Sequence, residues 1–164
     1  MTSASHPNLD LRKAFGSFAT GVTVITTCVG GQPVGFTANS FASVSMEPPL
    51  ISWNYRKSAF GVAAFLEAEH FAVNVLGVDQ QALSRQFASP VGERFAGVSL
   101  REGLGGVPVI EGCSATFECR RWSTLDAGDH VIFIGEVLRY AHAALPPLVF
   151  HGGNYARLAE AGFA

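Results

Sequence analysis

The chain has 164 residues, a length that suits one domain over residues 1–164, and 48% of them are apolar while 15% are charged. A formal net charge of −2, without any cluster of Lys or Arg, argues against a nucleic-acid partner and against binding to an anionic membrane surface. The mean hydropathy of +0.26 and the 13 Phe residues indicate more apolar surface than one small globule covers, which predicts a homodimer.

The first predicted element is a helix over residues 9–19. Apolar side chains recur there at Leu11, Ala14, Phe15 and Phe18, which is the spacing of one helix face. We therefore expect an amphipathic helix at the start of the domain.

Residues 22–39 have the pattern of a β-hairpin. A strand over 22–29 is followed by a turn at Gly30 and Gly31 and by a second strand over 33–39. Further predicted strands cover 50–54, 71–76, 114–121 and 130–140. Five or more strands with short connections predict a mainly β domain.

Two predicted helices interrupt the strands, one over 58–67 and one over 79–87. Ser58 and Asp79 are the candidate N-caps. Because strands and helices do not alternate regularly, a closed barrel with appended helices fits better than a doubly wound parallel sheet. The glycine-rich stretch 92–108 is predicted to be a surface loop that can cover a site.

The three cysteines, Cys28, Cys113 and Cys119, are odd in number and lack the spacing of a metal site. We expect them to be reduced, buried and apolar in character. The N-terminus has no charged region followed by an apolar run, and no segment reaches the ~18 apolar residues of a membrane span. The cytoplasm is therefore the expected location.

Several well-known catalytic motifs are absent from the sequence. It contains no G-x-x-x-x-G-K-[ST], no G-x-G-x-x-G between a strand and a helix, no H-E-x-x-H and no G-x-S-x-G. Phosphate-loop, Rossmann, zinc-protease and hydrolase functions lose their main support, and no metal site is predicted. Three polar segments remain as candidates.

The first polar segment places Thr37, Asn39, Ser40 and Ser43 near the end of a predicted strand. Their hydroxyl and amide groups can donate and accept hydrogen bonds in alternation, as an isoalloxazine edge or a ribityl chain requires. The alternative is an Asn/Ser turn whose side chains satisfy their own backbone.

The second segment, residues 54–58, precedes a predicted helix. Free backbone N–H groups, the Ser58 hydroxyl and the charge of Arg56 or Lys57 could together bind an anion. The alternative is an ordinary Ser cap beside two solvated basic residues.

The third segment has Asp129 and His130 at the start of an apolar strand. His130 shares a strand face with Ile132 and Glu136, whereas Asp129 lies on the other face. The alternative for His130 is a hydrogen-bonded structural role. Residues 147–155 likewise contain aromatic side chains that either line a site or pack at an edge.

Seven short stretches carry a resemblance to a known family. They are AFGSFATGVTVI at 14–25, GFTANSF at 35–41, Ser45 with PPL at 48–50, FAVNVL at 71–76, FAG at 95–97, GDH at 128–130 and PLVFHGG at 147–153. In this order they resemble the small flavin reductase family with the FMN-binding split-barrel fold, the reductase components of two-component flavin-dependent monooxygenases. The match runs through nearly the whole chain.

The resemblance implies a Greek-key barrel that binds FMN or FAD non-covalently, at or near a homodimer interface. The implied flavin neighbours are Thr37, Ala38, Asn39 and Ser40 at the ring and ribityl chain, Ser43, Trp53 and Asn54 beside them, Lys57, Ser58 and Phe60 near the phosphate, and Phe87.

On the nicotinamide side, the resemblance implies Asp129 and His130, with Phe150 and Tyr155 as walls. His130 would be the catalytic residue that orients the nicotinamide of NADH or NADPH, without transferring a proton. Many relatives carry a basic residue beside the tyrosine, where this chain has Asn154 and Ala156, so Arg157 is the substitute to consider.

The implied activity is hydride transfer from NADH or NADPH to FMN or FAD, followed by delivery of reduced flavin to a separate monooxygenase. One alternative is a flavoprotein that keeps FMN bound and passes electrons to ferric iron or a cobalt corrinoid. Another is a flavin-binding protein without catalytic activity. The sequence does not choose between FMN and FAD or between NADH and NADPH.

Overall fold

The computed structural model describes residues 7–90 and 92–159, and strands dominate within these ranges. The helices are α1 (Pro7–Gly16), α2 (Val62–Glu67) and α3 (Gln81–Ala88), with 3-10 turns at Val78–Gln80 and Leu104–Gly106. The strands are β1 (Thr20–Gly21), β2 (Thr23–Val29), β3 (Gln32–Ala38), β4 (Ala42–Met46), β5 (Pro49–Arg56), β6 (His70–Val75), β7 (Leu100–Glu102), β8 (Pro108–Ile110), β9 (Ala115–Ala127), β10 (His130–His142), β11 (Val149–His151) and β12 (Asn154–Ala156).

Seven strands form the main sheet, in the order β3-β2-β6-β9-β10-β5-β4, with every neighbouring pair antiparallel. The inner order β5-β10-β9-β6 is that of a Greek key, because β6, β9 and β10 follow one another across the sheet and β10, the last of the four, lies beside β5, the first. The sheet curls until the end of β3 approaches β5, where the Asn54 backbone N–H donates to Ser40 Oγ at 2.9 Å. The predicted mainly β, Greek-key split barrel is confirmed.

The hairpin of β2 and β3 is formed as the sequence predicts. Val29 pairs with Gln32, and the two residues between them are Gly30 and Gly31, with φ of 57° and 76°. A two-residue turn with positive φ at both positions matches the right-handed twist of the strands, and glycine adopts it without steric cost.

An aromatic core fills the barrel. The rings of Trp53 and Phe133 stack with their centroids 4.2 Å apart, and Phe36, Phe65 and Phe71 surround the indole of Trp53. Side chains alternate between the two faces of a strand. Because Trp53 and Phe133 point into the core, their sequence neighbours lie on the outer face of β5 and β10. That outer face carries the candidate site.

A small second sheet joins distant parts of the chain. It has the order β1-β11-β12, with Thr20 opposite Phe150. The Gly152 N–H also donates to the carbonyl of Gly16, at the end of α1, at 2.8 Å. A second core cluster that includes Leu76, Phe87 and Leu148 forms beside this sheet.

One buried carboxylate attaches the β7–β8 region to the barrel. Glu118, 3% exposed, accepts hydrogen bonds from the guanidinium group of Arg101 and from the Leu104 N–H, each at 2.8 Å. Arg139 Nη2 lies 2.8 Å from the same carboxylate. Burial alone raises the pKa of Glu118, but the hydrogen bonds and the two positive charges outweigh it, and the net pKa lies below the usual value.

Several predicted boundaries were wrong. The helix predicted over 58–67 begins at Val62, because Gly61, with φ of 91°, stands at the N-cap position and Ser58 does not cap it. Asp79 is not the N-cap of the next helix, because it lies inside the 3-10 turn. At the start of that turn the Gly77 N–H donates to Gln80 Oε1 at 2.9 Å. The first helix ends at Gly16 instead of residue 19.

The stretch 92–108 is not a single irregular loop, since it contains β7, a 3-10 turn and the first residue of β8. All three cysteines are free thiols. Cys113 and Cys119 are buried as predicted, and burial raises their pKa to about 11 and about 12. Cys28 is only half-buried, so its predicted burial was wrong; it lies near the turn of the β2–β3 hairpin, opposite Pro33.

Candidate active site

An open cavity of about 620 Å³ lies where the barrel is split between β3 and β5. Its walls come from α1, the end of β3 and the two residues after it, β5, the last residue of β9 and the start of β10. The lining residues are Phe15, Phe36, Thr37, Ala38, Asn39, Ser40, Asn54, Tyr55, Arg56, Ala127, His130 and Ile132. Aromatic and aliphatic walls combined with a few polar groups are typical of a small-molecule site.

The register of β5 and β10 builds one wall of the cavity. His130 lies directly opposite Arg56, and Ile132 lies directly opposite Asn54. These four side chains share the outer face of the sheet, because the residues between them point into the core. An imidazole, a guanidinium and an amide are thereby held side by side on paired strands.

His130 is oriented by its sequence neighbour. Its Nδ1 lies 2.7 Å from Asp129 Oδ1, and the Lys57 N–H donates to the Asp129 carbonyl at 2.9 Å, which fixes the turn. The hydrogen bond to His130 is the main cause that lowers the pKa of Asp129. An ionised carboxylate only accepts, so Nδ1 carries the proton and Nε2 of neutral His130 is an acceptor.

Two hydroxyl groups of the site are already engaged with the protein. Thr37 Oγ1 donates to the Ser84 carbonyl at 2.6 Å, and Ser40 Oγ accepts from the Asn54 N–H at 2.9 Å. Ser84 Oγ in turn lies 2.7 Å from the hydroxyl of Tyr155. The Thr37 proton is therefore unavailable to a ligand, and these bonds instead fix the β3 segment between β5 and α3.

The structure brings six of the predicted site residues into the cavity wall, namely Thr37, Ala38, Asn39, Ser40, Asn54 and His130. Asp129 adjoins them through its hydrogen bond to His130.

Other predicted site residues do not line this cavity. Trp53 and Phe87 are fully buried in the two core clusters, where they have no access to a ligand. Phe150 and Tyr155 pack against the second cluster, with their rings 5.5 Å apart. Ser43 lies on the edge strand β4.

The residues that the resemblance puts near the flavin phosphate, Lys57, Ser58 and Phe60, do not line this cavity. Lys57 Nζ lies 3.5 Å from Asp126 Oδ2, on β9. Ser58 does not cap α2, and Phe60, 86% exposed, lines a separate cavity of about 470 Å³ with Pro33 and Arg94.

Sequence reasoning missed several wall residues: Phe15, Phe36, Tyr55, Ala127 and Ile132, with Arg56 considered only as an alternative to Lys57. Ile132 could have been found, since it shares the strand face of His130. Phe15 was predicted only as part of the apolar face of its helix; its side chain is 69% exposed and borders the cavity.

The cavity suits a flat heteroaromatic ligand. Phe36 and Tyr55, stacked 3.6 Å apart, contribute aromatic surface, while Asn39 and Asn54 contribute amide groups that both donate and accept. The described residues contain no cluster of His, Cys, Asp and Glu that could hold a metal ion. A split barrel with this cavity belongs to the class of proteins that bind a flavin nucleotide, and the residues present fit that group.

The comparison with protein families identifies the chain further. The flavin reductase like domain family matches residues 15–159, so the chain belongs to that family. Among curated relatives, FMN reductase (NADH) SmoA of Agrobacterium fabrum is 49% identical over 149 residues, covering 91% of this chain and 85% of that protein.

Two further relatives show the range of the family. The reductase component of the flavin-dependent trigonelline monooxygenase of Acinetobacter baylyi is 45% identical over 89% of this chain, which spans only 47% of that longer protein. The structure of Streptomyces globisporus NADH:FAD oxidoreductase SgcE6, in complex with NAD and FAD fragments, has a TM-score of 0.91 and 37% identity over 95% of each chain.

Proposed function

We propose that this chain is an NAD(P)H-dependent flavin reductase of the EC 1.5.1 type that supplies reduced FMN or FAD to a separate monooxygenase. The observation that carries the proposal is the cavity in which residues 37–40, at the end of β3 and just after it, lie across the split of the barrel from His130. Its relatives support this proposal, since they include an FMN reductase that uses NADH and monooxygenase reductase components.

We assign flavin binding first to Thr37, Ala38, Asn39, Ser40 and Asn54, which line the cavity together. Bound flavin supplies the acceptor for a hydride from the reduced nicotinamide. The protein groups hold the two rings in contact and exclude water from one face, which requires positioning more than proton transfer. An open, non-covalent site also allows the flavin to exchange with solution.

We assign His130 to contact the nicotinamide of NADH or NADPH. Asp129 holds the proton on Nδ1, so that Nε2 can accept a hydrogen bond from the carboxamide N–H₂ of the nicotinamide. This contact would orient the ring without changing the protonation state of His130. Phe150 and Tyr155, which pack behind α3, would support this side of the site from a distance.

The chain is proposed to act as a homodimer in the cytoplasm. Leu125 lies opposite Ile132 on the outer face of the sheet, so apolar surface continues from the cavity to a side chain that is 60% exposed. Trp122 and Tyr140 are also exposed, at 52% and 72%. A second copy would cover such a surface, and light scattering should give twice the mass of the chain. Among the described residues, no helix is long and apolar enough to cross a membrane.

The decisive experiment follows NADH and NADPH oxidation by their near-ultraviolet absorbance, with and without added FMN, FAD or riboflavin. We expect the rate to rise and saturate with free flavin, which would also rank the flavins and the two nicotinamides. Absence of oxidation with every flavin and both nicotinamides would refute the proposal.

A further inference from the structure

Arg56 is placed where a negatively charged ligand group would meet it. It is the last residue of β5, it lines the cavity, and it lies directly opposite His130 on the outer face of the sheet. Residues paired directly across antiparallel strands have their Cβ atoms about 4.5–5.5 Å apart. A ligand that contacts His130 is therefore within reach of the long Arg56 side chain.

The charged groups around Arg56 leave its guanidinium available to bind an anionic ligand. The cavity lining contains no Asp or Glu, and the salt bridges found among residues 7–90 and 92–159 do not include Arg56. The positive charge of Arg56 contributes slightly to the lowered pKa of Asp129, but the Asp129 carboxylate is bonded to His130 Nδ1 at 2.7 Å. Lys57, by contrast, faces Asp126 at 3.5 Å.

The C-terminal segment does not provide the alternative cation. Arg157 is 75% exposed and lies 4.0 Å from Asp79, beside a small crevice lined by Val78, Leu148 and Tyr155. It does not line the cavity that holds His130. Many relatives carry a basic residue beside the tyrosine, whereas this chain has Asn154 and Ala156 there. Arg157 does not replace that basic residue at the cavity.

We propose that Arg56 binds a phosphate group of the nucleotide that lies beside His130, and that this group is the pyrophosphate of the nicotinamide dinucleotide. The inference rests on the proposed function, because it takes His130 as the nicotinamide contact. A planar guanidinium forms two parallel hydrogen bonds with a phosphate, and such bonds are stronger than neutral ones. The phosphate of FMN has the same chemistry and is the other source that the test distinguishes.

The test compares ligands with and without phosphate in the Arg56→Gln protein. We expect the KM for NADH to rise about tenfold, the effect of losing one charge-assisted contact, and to depend less on ionic strength than in the wild type. The kcat/KM for reduced nicotinamide riboside, which has no phosphate, should change less than about twofold. Arg56→Lys should recover part of the lost affinity, because it restores the charge without the planar fork.

A second arm compares FMN with riboflavin by fluorescence titration. An Arg56→Gln effect confined to FMN would assign the phosphate to the flavin and overturn the dinucleotide assignment. Equal effects on NADH and reduced nicotinamide riboside would overturn phosphate binding altogether, since the residue would then act on the common nicotinamide part.

Arg120→Gln is the matched control, because Arg120 is paired with Glu136 at 2.6 Å and does not line the cavity. If wild-type protein oxidises neither nicotinamide substrate with any flavin, the proposed function fails. If wild-type protein oxidises NADH or NADPH, but Arg56→Gln and Arg120→Gln have the same KM for NADH, only the Arg56 inference fails.

Discussion

Replacing Glu118 with Gln is expected to destabilise the protein and to change how its stability depends on pH. The carboxylate is 3% exposed and receives bonds from Arg101, Arg139 and the Leu104 N–H. Gln has nearly the same size and can still accept from Leu104. The substitution therefore removes charge while leaving the shape of the site intact.

The magnitude follows from the two arginine contacts. Gln keeps one acceptor oxygen, which can face Leu104 and Arg139, so the Arg139 contact loses only its charge assistance, about 1 kcal/mol. The N–H₂ group of Gln then faces Arg101 and cannot accept from it; the loss of that contact, offset by the return of Arg101 to water, costs about 1 kcal/mol more, for a total of about 2 kcal/mol. The cost stays below the ~3–5 kcal/mol of a broken buried ion pair, because both arginine side chains are partly exposed, at 42% and 54%, and can return to water. For a chain of this size, about 2 kcal/mol corresponds to a Tm lower by roughly 4–8 °C.

The pH dependence has a definite sign. The pKa of Glu118 in the folded protein lies below its ordinary value of 4.5, so its stabilisation is complete above that value and is lost as the pH falls through the folded pKa. The difference between wild type and Glu118→Gln should thus be full at pH 7 and should shrink below about pH 4.

Urea denaturation followed by tryptophan fluorescence, at one protein concentration and several pH values, measures this difference. Glu136→Gln is the control, because its carboxylate contacts one exposed arginine and should cost less than about 1 kcal/mol. Equal midpoints for wild type and Glu118→Gln at pH 7, or a difference that persists unchanged at pH 3, would refute the reasoning.

Three further predictions concern the core and the site. Gly135→Ala should lower the free energy of unfolding by about 3 kcal/mol, because a Cβ there would collide with the buried Phe71 ring; an unchanged thermal midpoint would contradict this. Tyr155→Phe should cost about 1–2 kcal/mol by leaving Ser84 Oγ unpaired, and it should add almost nothing in a protein that already carries Ser84→Ala. His130→Ala should raise the KM for NADH about 2- to 10-fold while the flavin Kd is preserved; steady-state kinetics and flavin titration check both, and a loss of flavin affinity alone would place His130 on the wrong ligand.

The fold was predictable where local chemistry and periodicity agree. Gly30 and Gly31 between two predicted strands indicated a hairpin, and the structure has its turn at these two residues. The alternation along β10 correctly put His130 and Ile132 on the same face. The start of α2 was not predictable in the same way, because a glycine such as Gly61 can enter a helix or stop it, and only packing decides.

The different surroundings of Arg56 and Lys57 follow from one strand boundary. The sequence pattern ended the strand at residue 54, whereas β5 continues to Arg56. Because Tyr55 and Arg56 are also extended, the alternation of side chains between the two faces of β5 continues through them. Arg56 therefore lies on the cavity face, and Lys57 lies in the turn after the strand. The burial of Trp53 has a different origin, since it depends on which face of β5 the aromatic core occupies.

The pairing of β1 with β11 has a consequence for synthesis on the ribosome. Thr20 and Gly21 find their hydrogen-bonded partners only in Phe150 and Val149, which are translated nearly a whole domain later. The main-sheet strands from β2 to β10 can pair earlier, because all of their partners are translated before β11. We therefore expect the segment that carries Phe15 to dock on the barrel only after β11 has been translated, so that the Phe15 wall of the cavity forms last.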